Sequence, residues 1–141
     1  MKLVLDTNIF ISGLLFPKSS AGKVVSLCLD EKFELCLSKS MIEEIERVLF
    51  YPKIRKRLKL TDSEIENYCS LLNFSAKIFE TKHIKAKVPK DHKDDHVLAT
   101  FLASEADYLI TGDDDLLCLN DQYQIISLKD FMSQFKEVVS E

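Results

Sequence analysis

Four acidic residues stand where apolar segments of this chain end or where helical patterns begin. Asp6 closes the run KLVLD and opens the triplet Asp6-Thr7-Asn8, and Glu44 lies early in a helical pattern after Ser38. Asp94 falls near the start of another helical pattern, and Asp113 follows the apolar YLIT by two residues, inside TGDDDLL (111–117). Their side chains suit a hard divalent cation. Mg²⁺ takes oxygen ligands at about 2.0–2.1 Å and usually only one or two direct carboxylates. Two such ions roughly 3.5–4 Å apart can orient a water and stabilise both the attacking and the leaving oxygen of phosphodiester cleavage. Crowded carboxylates without a cation repel each other and tend to protonate, so a bound metal is also expected to stabilise the fold. No His or Cys cluster at zinc spacing competes with this reading.

Each acid also has a structural alternative. Asp6 fits a helix cap, and Glu43 fits the third helical position of a Ser40-x-x-Glu43 capping box. Glu44 suits a solvated helix face as well as a ligand. Asp91-x-x-Asp94 reads as a cap favoured by the helix dipole, with Asp95 as surface charge. Asp113 to Asp115 read equally as a turn before a short helix.

The elements that must position these residues alternate. KLVLD (2–6), FELCLS (33–38), AKIFET (76–81), DYLIT (107–111) and YQIIS (123–127) read as strands. Between them lie helical patterns: two after Asp6, broken at Phe16, Pro17 and Ser19, then SKSMIEEIERVL (38–49). TDSEIENYCSLLNF (61–74) begins with a Thr61-x-x-Glu64 capping box. DHKDDHVLATFLASEA (91–106) is the next helix, and Ser127-x-x-Asp130 caps a closing amphipathic one through Phe131, Phe135 and Val138. Alternation of this kind implies a mainly parallel sheet covered on both faces, with ligands gathering outside the carboxyl ends of its strands.

The chain has 141 residues, 46% of them apolar and 30% charged, which suits one globular domain spanning 1–141. A net charge of −4 excludes a global attraction for nucleic acid or acidic membranes, though not local patches. The four cysteines sit in apolar contexts and read as reduced thiols of a cytoplasmic protein. Asp6 and Asn8 interrupt the apolar N-terminus, which argues against a signal peptide, and no stretch is long enough to span a bilayer.

Taken together, four blocks in order are more specific than any one of them. LVLDTN, S-x-x-x-x-x-E-I-x-x-V-L (Ser38 to Leu49), D-x-x-D-D-x-V-L-A (Asp91 to Ala99) and D-Y-L-I-T-G-D-x-D-L (Asp107 to Leu116) resemble the PIN-domain ribonucleases. Within that family the likeness is greatest to the VapC-like toxins of toxin–antitoxin pairs. The resemblance implies a three-layer α/β/α Rossmann-like fold and a Mg²⁺- or Mn²⁺-dependent endoribonuclease acting on RNA. Its four acids fall on Asp6, Glu44, Asp94 and Asp113, with Asn8, Thr111 and Asp115 in support. Asp114 is then a surface bystander. The sequence departs from the family at His92, where proline is usual. Neighbouring acids leave the register open by one: Ile45 and the cap at Glu43 favour Glu44, and spacing to Val97, Leu98 and Ala99 favours Asp94.

For RNA, the segment YPKIRKRLKL offers Lys53, Arg55, Lys56, Arg57 and Lys59 with no acid among them, and Lys90 belongs to a second basic stretch with Lys93. Such side chains give salt-sensitive phosphate contacts, or simply solvated surface. Tyr51 suits base stacking or core packing. An antitoxin partner is implied by the resemblance. Ile9, Leu14, Leu15 and Phe16 fit either a dimer or partner groove, or the core. Two other readings remain: a non-catalytic PIN module that binds nucleic acid or protein, and a nuclease of RNA processing. A phosphatase of the haloacid-dehalogenase kind would need an acid where Asn8 stands.

Overall fold

In the computed structural model, which describes residues 1–140, five strands form one sheet. They are β1 (Lys2–Leu5), β2 (Glu34–Leu37), β3 (Lys77–Ile78), β4 (Tyr108–Thr111) and β5 (Ile125–Ser127). The order is β3-β2-β1-β4-β5, and every neighbouring pair runs parallel. Leu3, Val4 and Leu5 of the central strand are wholly buried, as are Leu109 and Ile110 beside them. A strand covered on both faces has no polar side to alternate with, which is why these segments read as unbroken apolar runs.

Helices cover the sheet. After β1 come α1 (Thr7–Leu15) and α2 (Ser20–Leu29), and after β2 come α3 (Lys39–Leu49), α4 (Pro52–Leu58) and α5 (Asp62–Ser75). A 3-10 turn (His92–Asp94) leads into α6 (Asp95–Ser104), which packs on β1, β2 and β4. Last come α7 (Asp114–Leu117), α8 (Leu128–Gln134) and α9 (Lys136–Ser140), with α8 packed on β4, β5 and α2. The arrangement is a three-layer α/β/α fold. From β1 the chain moves outward to β2 and β3, then returns across β1 to β4 and β5. The reversal lies between β1 and β4, and the crevice at their carboxyl ends is where ligands collect in such sheets.

Several local expectations change. The N-cap of α3 is Ser38, whose hydroxyl accepts the Met41 N–H at 3.4 Å, so no Ser40–Glu43 box forms and Glu43 is exposed. The helix starts earlier because Ser38 ends the strand in extended backbone. The expected strand at 76–81 shrinks to two exposed residues at the sheet edge. Helix 91–106 splits into the 3-10 turn and α6. The closing helix breaks at Phe135, which shifts its register: Val139 is buried and Val138 exposed. Thr61 and Glu64 do form the expected capping box, and the Ser127 hydroxyl accepts the Asp130 N–H. Ile9 is core, Leu14 and Leu15 are partly buried against it, and Phe16 is half exposed. Among the described residues no helix is long and apolar enough to cross a membrane.

The α1–α2 turn depends on close backbone approach at Gly22, where an added Cβ would lie 2.2 Å from the Pro17 carbonyl oxygen. Gly112, by contrast, has nothing within 4 Å of that position and no left-handed φ. Gly22→Ala should therefore destabilise by about 1–3 kcal/mol, as overpacking does. Gly112→Ala should leave stability unchanged or raise it by a few tenths, up to about 1 kcal/mol. Denaturant midpoints of the two variants check this contrast.

Candidate metal centre

The centre is built on the seam between β1 and β4. The Asp6 N–H donates to the Ile110 carbonyl at 2.9 Å, extending the pairing of the two strands by one residue. Asp6 occupies the N-cap position of α1, yet its side chain makes no capping bond. It turns instead to Thr111, whose hydroxyl donates to Asp6 Oδ2 at 2.7 Å and accepts the Asp113 N–H at 3.0 Å. Thr111 is wholly buried and Asp6 only 3% exposed. One hydroxyl thus sets the position of two acids. Asp113 then caps α7, accepting the Asp115 N–H on Oδ1 at 2.9 Å. Burial pushes the Asp6 carboxyl above its ordinary range; hydrogen bonds from Thr111 and Thr7 oppose the rise, and the charges of Asp113 and Glu44 add to it.

The third wall comes from the segment before α6. Asp91 caps the 3-10 turn by accepting the Lys93 N–H at 2.9 Å. Asp95 Oδ1 accepts the Val88 N–H at 2.7 Å, and Oδ2 lies 3.5 Å from His92 Nδ1, so Asp95 ties down the preceding loop. Asp94 goes the other way. Its Oδ2 is buried with no hydrogen-bond partner. Burial, hydrogen bonding to Asp113 and the charges of Asp6, Asp113 and Asp91 push its carboxyl up to about 8. Asp91, Asp94, Asp113 and Asp115 each bring one oxygen to within 4.8 Å of the others. An all-oxygen set with an orphaned buried acceptor fits a hard divalent cation.

Asp94, Asp113 and Asp115, all anticipated from sequence, therefore meet in one cluster. Asp6 and Glu44 stand outside this tightest group but close enough for Glu44 and Asp113 to raise the Asp6 carboxyl. Glu44 forms an ion pair with His96 Nε2. Asn8 is exposed in the first turn of α1, one residue past the buried Thr7. Asp114 is exposed, as expected of a bystander.

Two residues of this region carry little signal in the sequence. Asp91 reads in the sequence only as a cap, yet its spacing three residues before Asp94 is that of one helical turn, which brings both to the same side. His96 carried no signal beyond following Asp94 by two.

Lys53, Lys56, Arg57, Lys59 and Lys90 are exposed. Arg55 is partly buried, paired with Asp62 and set over the Phe50 ring. Arg57 sits over Phe16. A cleft of about 700 Å³ lined by Glu44, Arg47, Tyr51, Lys93 and His96 runs from Glu44 to Tyr51, the residue that precedes α4.

The raised Asp94 carboxyl makes a stability prediction for metal-free protein. An acid that ionises near 3.8 when unfolded and about 8 when folded binds more protons in the native state across that window. Stability should fall as pH rises from about 4 to about 8. Asp94→Asn should flatten this slope. Thermal melts in chelator from pH 4 to 9 check both.

Comparison with known proteins agrees with this geometry. A family model described as PIN domain matches residues 2–115. The chain is 29% identical over 150 residues to MJ1680 of Methanocaldococcus jannaschii, a protein described only as uncharacterized, covering 99% of this chain and 95% of the other. No solved structure gives a significant match. The match over residues 2–115 takes in β1, β4 and every acid of the cluster, and the chain belongs to the PIN domain family.

Proposed function

We propose that the protein is a metal-dependent endoribonuclease that hydrolyses RNA phosphodiester bonds, with Mg²⁺ or Mn²⁺ as its cofactor and the whole chain as one domain. PIN domains are generally metal-dependent nucleases, and the acidic cluster fits that chemistry. The observation that carries the reading is the buried, unpartnered Asp94 Oδ2 among converging carboxylates. An unsatisfied buried acceptor costs about 1–3 kcal/mol, a cost that a cation held among these carboxylates would relieve.

Asp94 and Asp113 would hold the ion directly, with Asp6 and Glu44 completing the coordination either directly or through water. A divalent ion so held supplies the charge that acidifies a water and offsets charge on the phosphate oxygens. Thr111 keeps Asp6 and Asp113 in fixed relation, so little reorganisation is needed when an ion arrives. Asp115 and Asp91 would support the ion from the same cluster, and Asn8, two residues after Asp6, would orient a ligand or water. The mechanism proposed calls for position and charge from the protein and for no covalent nucleophile. An anionic backbone would be repelled by this cluster alone, so cation binding and substrate binding are coupled. Lys53, Lys56, Arg57, Lys59 and Lys90 would hold flanking phosphates, with Arg55 contributing less because Asp62 already neutralises it.

The cellular role we propose is the toxin of a toxin–antitoxin pair, cytoplasmic and neutralised by a cognate antitoxin. The order and spacing of the four sequence blocks support that role. Expression of the chain alone should arrest growth of a sensitive host, and Asp94→Asn should relieve the arrest.

Asp6→Asn and Asp94→Asn should each lower Mn²⁺-dependent RNA cleavage at least 100-fold while the circular dichroism spectrum stays native. Cleavage of equal rate by metal-stripped protein in chelator would refute the mechanism. Replacing Lys53, Lys56 and Lys59 together by Gln should weaken binding to all single-stranded RNAs alike. The slope of log affinity on log salt should fall by about 2, from roughly 0.7 per lost phosphate contact.

A further inference from the structure

We infer that His96 is a positioning residue that holds the Glu44 carboxylate in place for metal binding, an inference that rests on the reading of Glu44 as a ligand. Glu44 projects from α3, and among the described residues its carboxylate has one charged partner, His96 Nε2. A carboxylate only accepts, so Nε2 carries the proton and donates. The other end of the ring is also engaged, with Nδ1 3.2 Å from Ser40 Oγ. Ser40 Oγ lies 3.2 Å from Ser38 Oγ, and Ser38 Oγ lies 2.8 Å from Thr100 Oγ1. Thr100 is wholly buried and Ser38 nearly so, and the Thr100 hydroxyl also reaches the His96 carbonyl at 2.8 Å.

The imidazole is therefore anchored through three hydroxyls that link the end of β2, the start of α3 and the second turn of α6. Glu is a long side chain, and immobilising it costs rotamer freedom. A ring fixed at both ends meets that cost before any ion arrives. His96 also stands two residues after Asp94, so one helix start places both Asp94 and the group that orients Glu44. Asp95, between them, ties the same helix start to the loop at Val88.

The test is calorimetric titration of Mn²⁺ into the full-length wild type, His96→Ala, His96→Gln, Ser40→Ala, Glu44→Gln and the His96→Ala/Glu44→Gln double variant. Loss of an outer partner of a ligand typically costs 10–100-fold in affinity. His96→Ala should bind Mn²⁺ about 10-fold more weakly, and His96→Gln, which restores an N–H near the lost Nε2, should stay within about 3-fold of wild type. Ser40→Ala should fall between them. The double variant should bind no more weakly than Glu44→Gln alone, the non-additivity expected of one shared interaction. Melting of His96→Ala in chelator should stay close to wild type, which a merely structural histidine would not allow. Wild-type affinity in His96→Ala, or equal losses in Ala and Gln, overturns the inference while leaving the nuclease reading intact. Should His96→Ala fail to fold, the Gln, Ser40→Ala and Glu44→Gln affinities decide the matter in the same way. Absence of Mn²⁺ binding by the wild type overturns both.

Discussion

Oxygens of four carboxylates lie within 4.8 Å of one another in a crevice partly closed to water, and like charges so close repel one another unless something positive joins them. This repulsion is the constraint around which the rest of the structure is arranged. The sheet brings Asp6 and Asp113 together at a seam of parallel strands, where apolar residues on both faces resist relaxation. The Thr111 hydroxyl then locks their separation. Asp94 bears the remaining strain as a carboxyl held protonated up to about pH 8. A cation would remove that strain, so the features that make the metal-free site unfavourable are those that make it receptive.

Adjacent acids meet different surroundings. Asp95 ties α6 to the loop at Val88, which frees Asp94 to face the seam. Glu43 is exposed, whereas Glu44, one residue on, meets His96. Asp113 caps α7 with one oxygen and offers a carboxylate to the cluster, Asp115 joins it, and Asp114 faces solvent. Helical geometry explains the pattern: consecutive residues differ by about 100° around the axis, so one of two neighbours faces inward.

Much of the architecture was legible because periodicity reflects burial directly. The runs at Lys2–Leu5, Glu34–Leu37 and Tyr108–Thr111 became strands, and the Thr61–Glu64 box formed as read. The failures share a cause. The strand at 76–81 lost most of its length because it lies at the sheet edge with a single neighbour, β2. Ser38 displaced Ser40 as the cap of α3 because the end of β2 set where the backbone could turn. The closing helix broke at Phe135, where three aromatic contacts among Tyr108, Phe131 and Phe135 favour packing over helical continuity. Each outcome was settled by a neighbour distant in sequence.

From the sequence alone came the chemical kind of the site: oxygen donors without a zinc set, on an alternating α/β chain whose sheet had to be mainly parallel. Apolar period and residue type are local properties, and local physics reads them well. Only the tertiary structure decided which acids meet. The order β3-β2-β1-β4-β5 places Asp6 against Thr111, and the turn before α6 aims Asp94 inward while Asp95 is held away. It also revealed Asp91 and His96 as neighbours of the site. Strand order and side-chain direction depend on pairing between residues about a hundred positions apart, and no local pattern encodes that pairing.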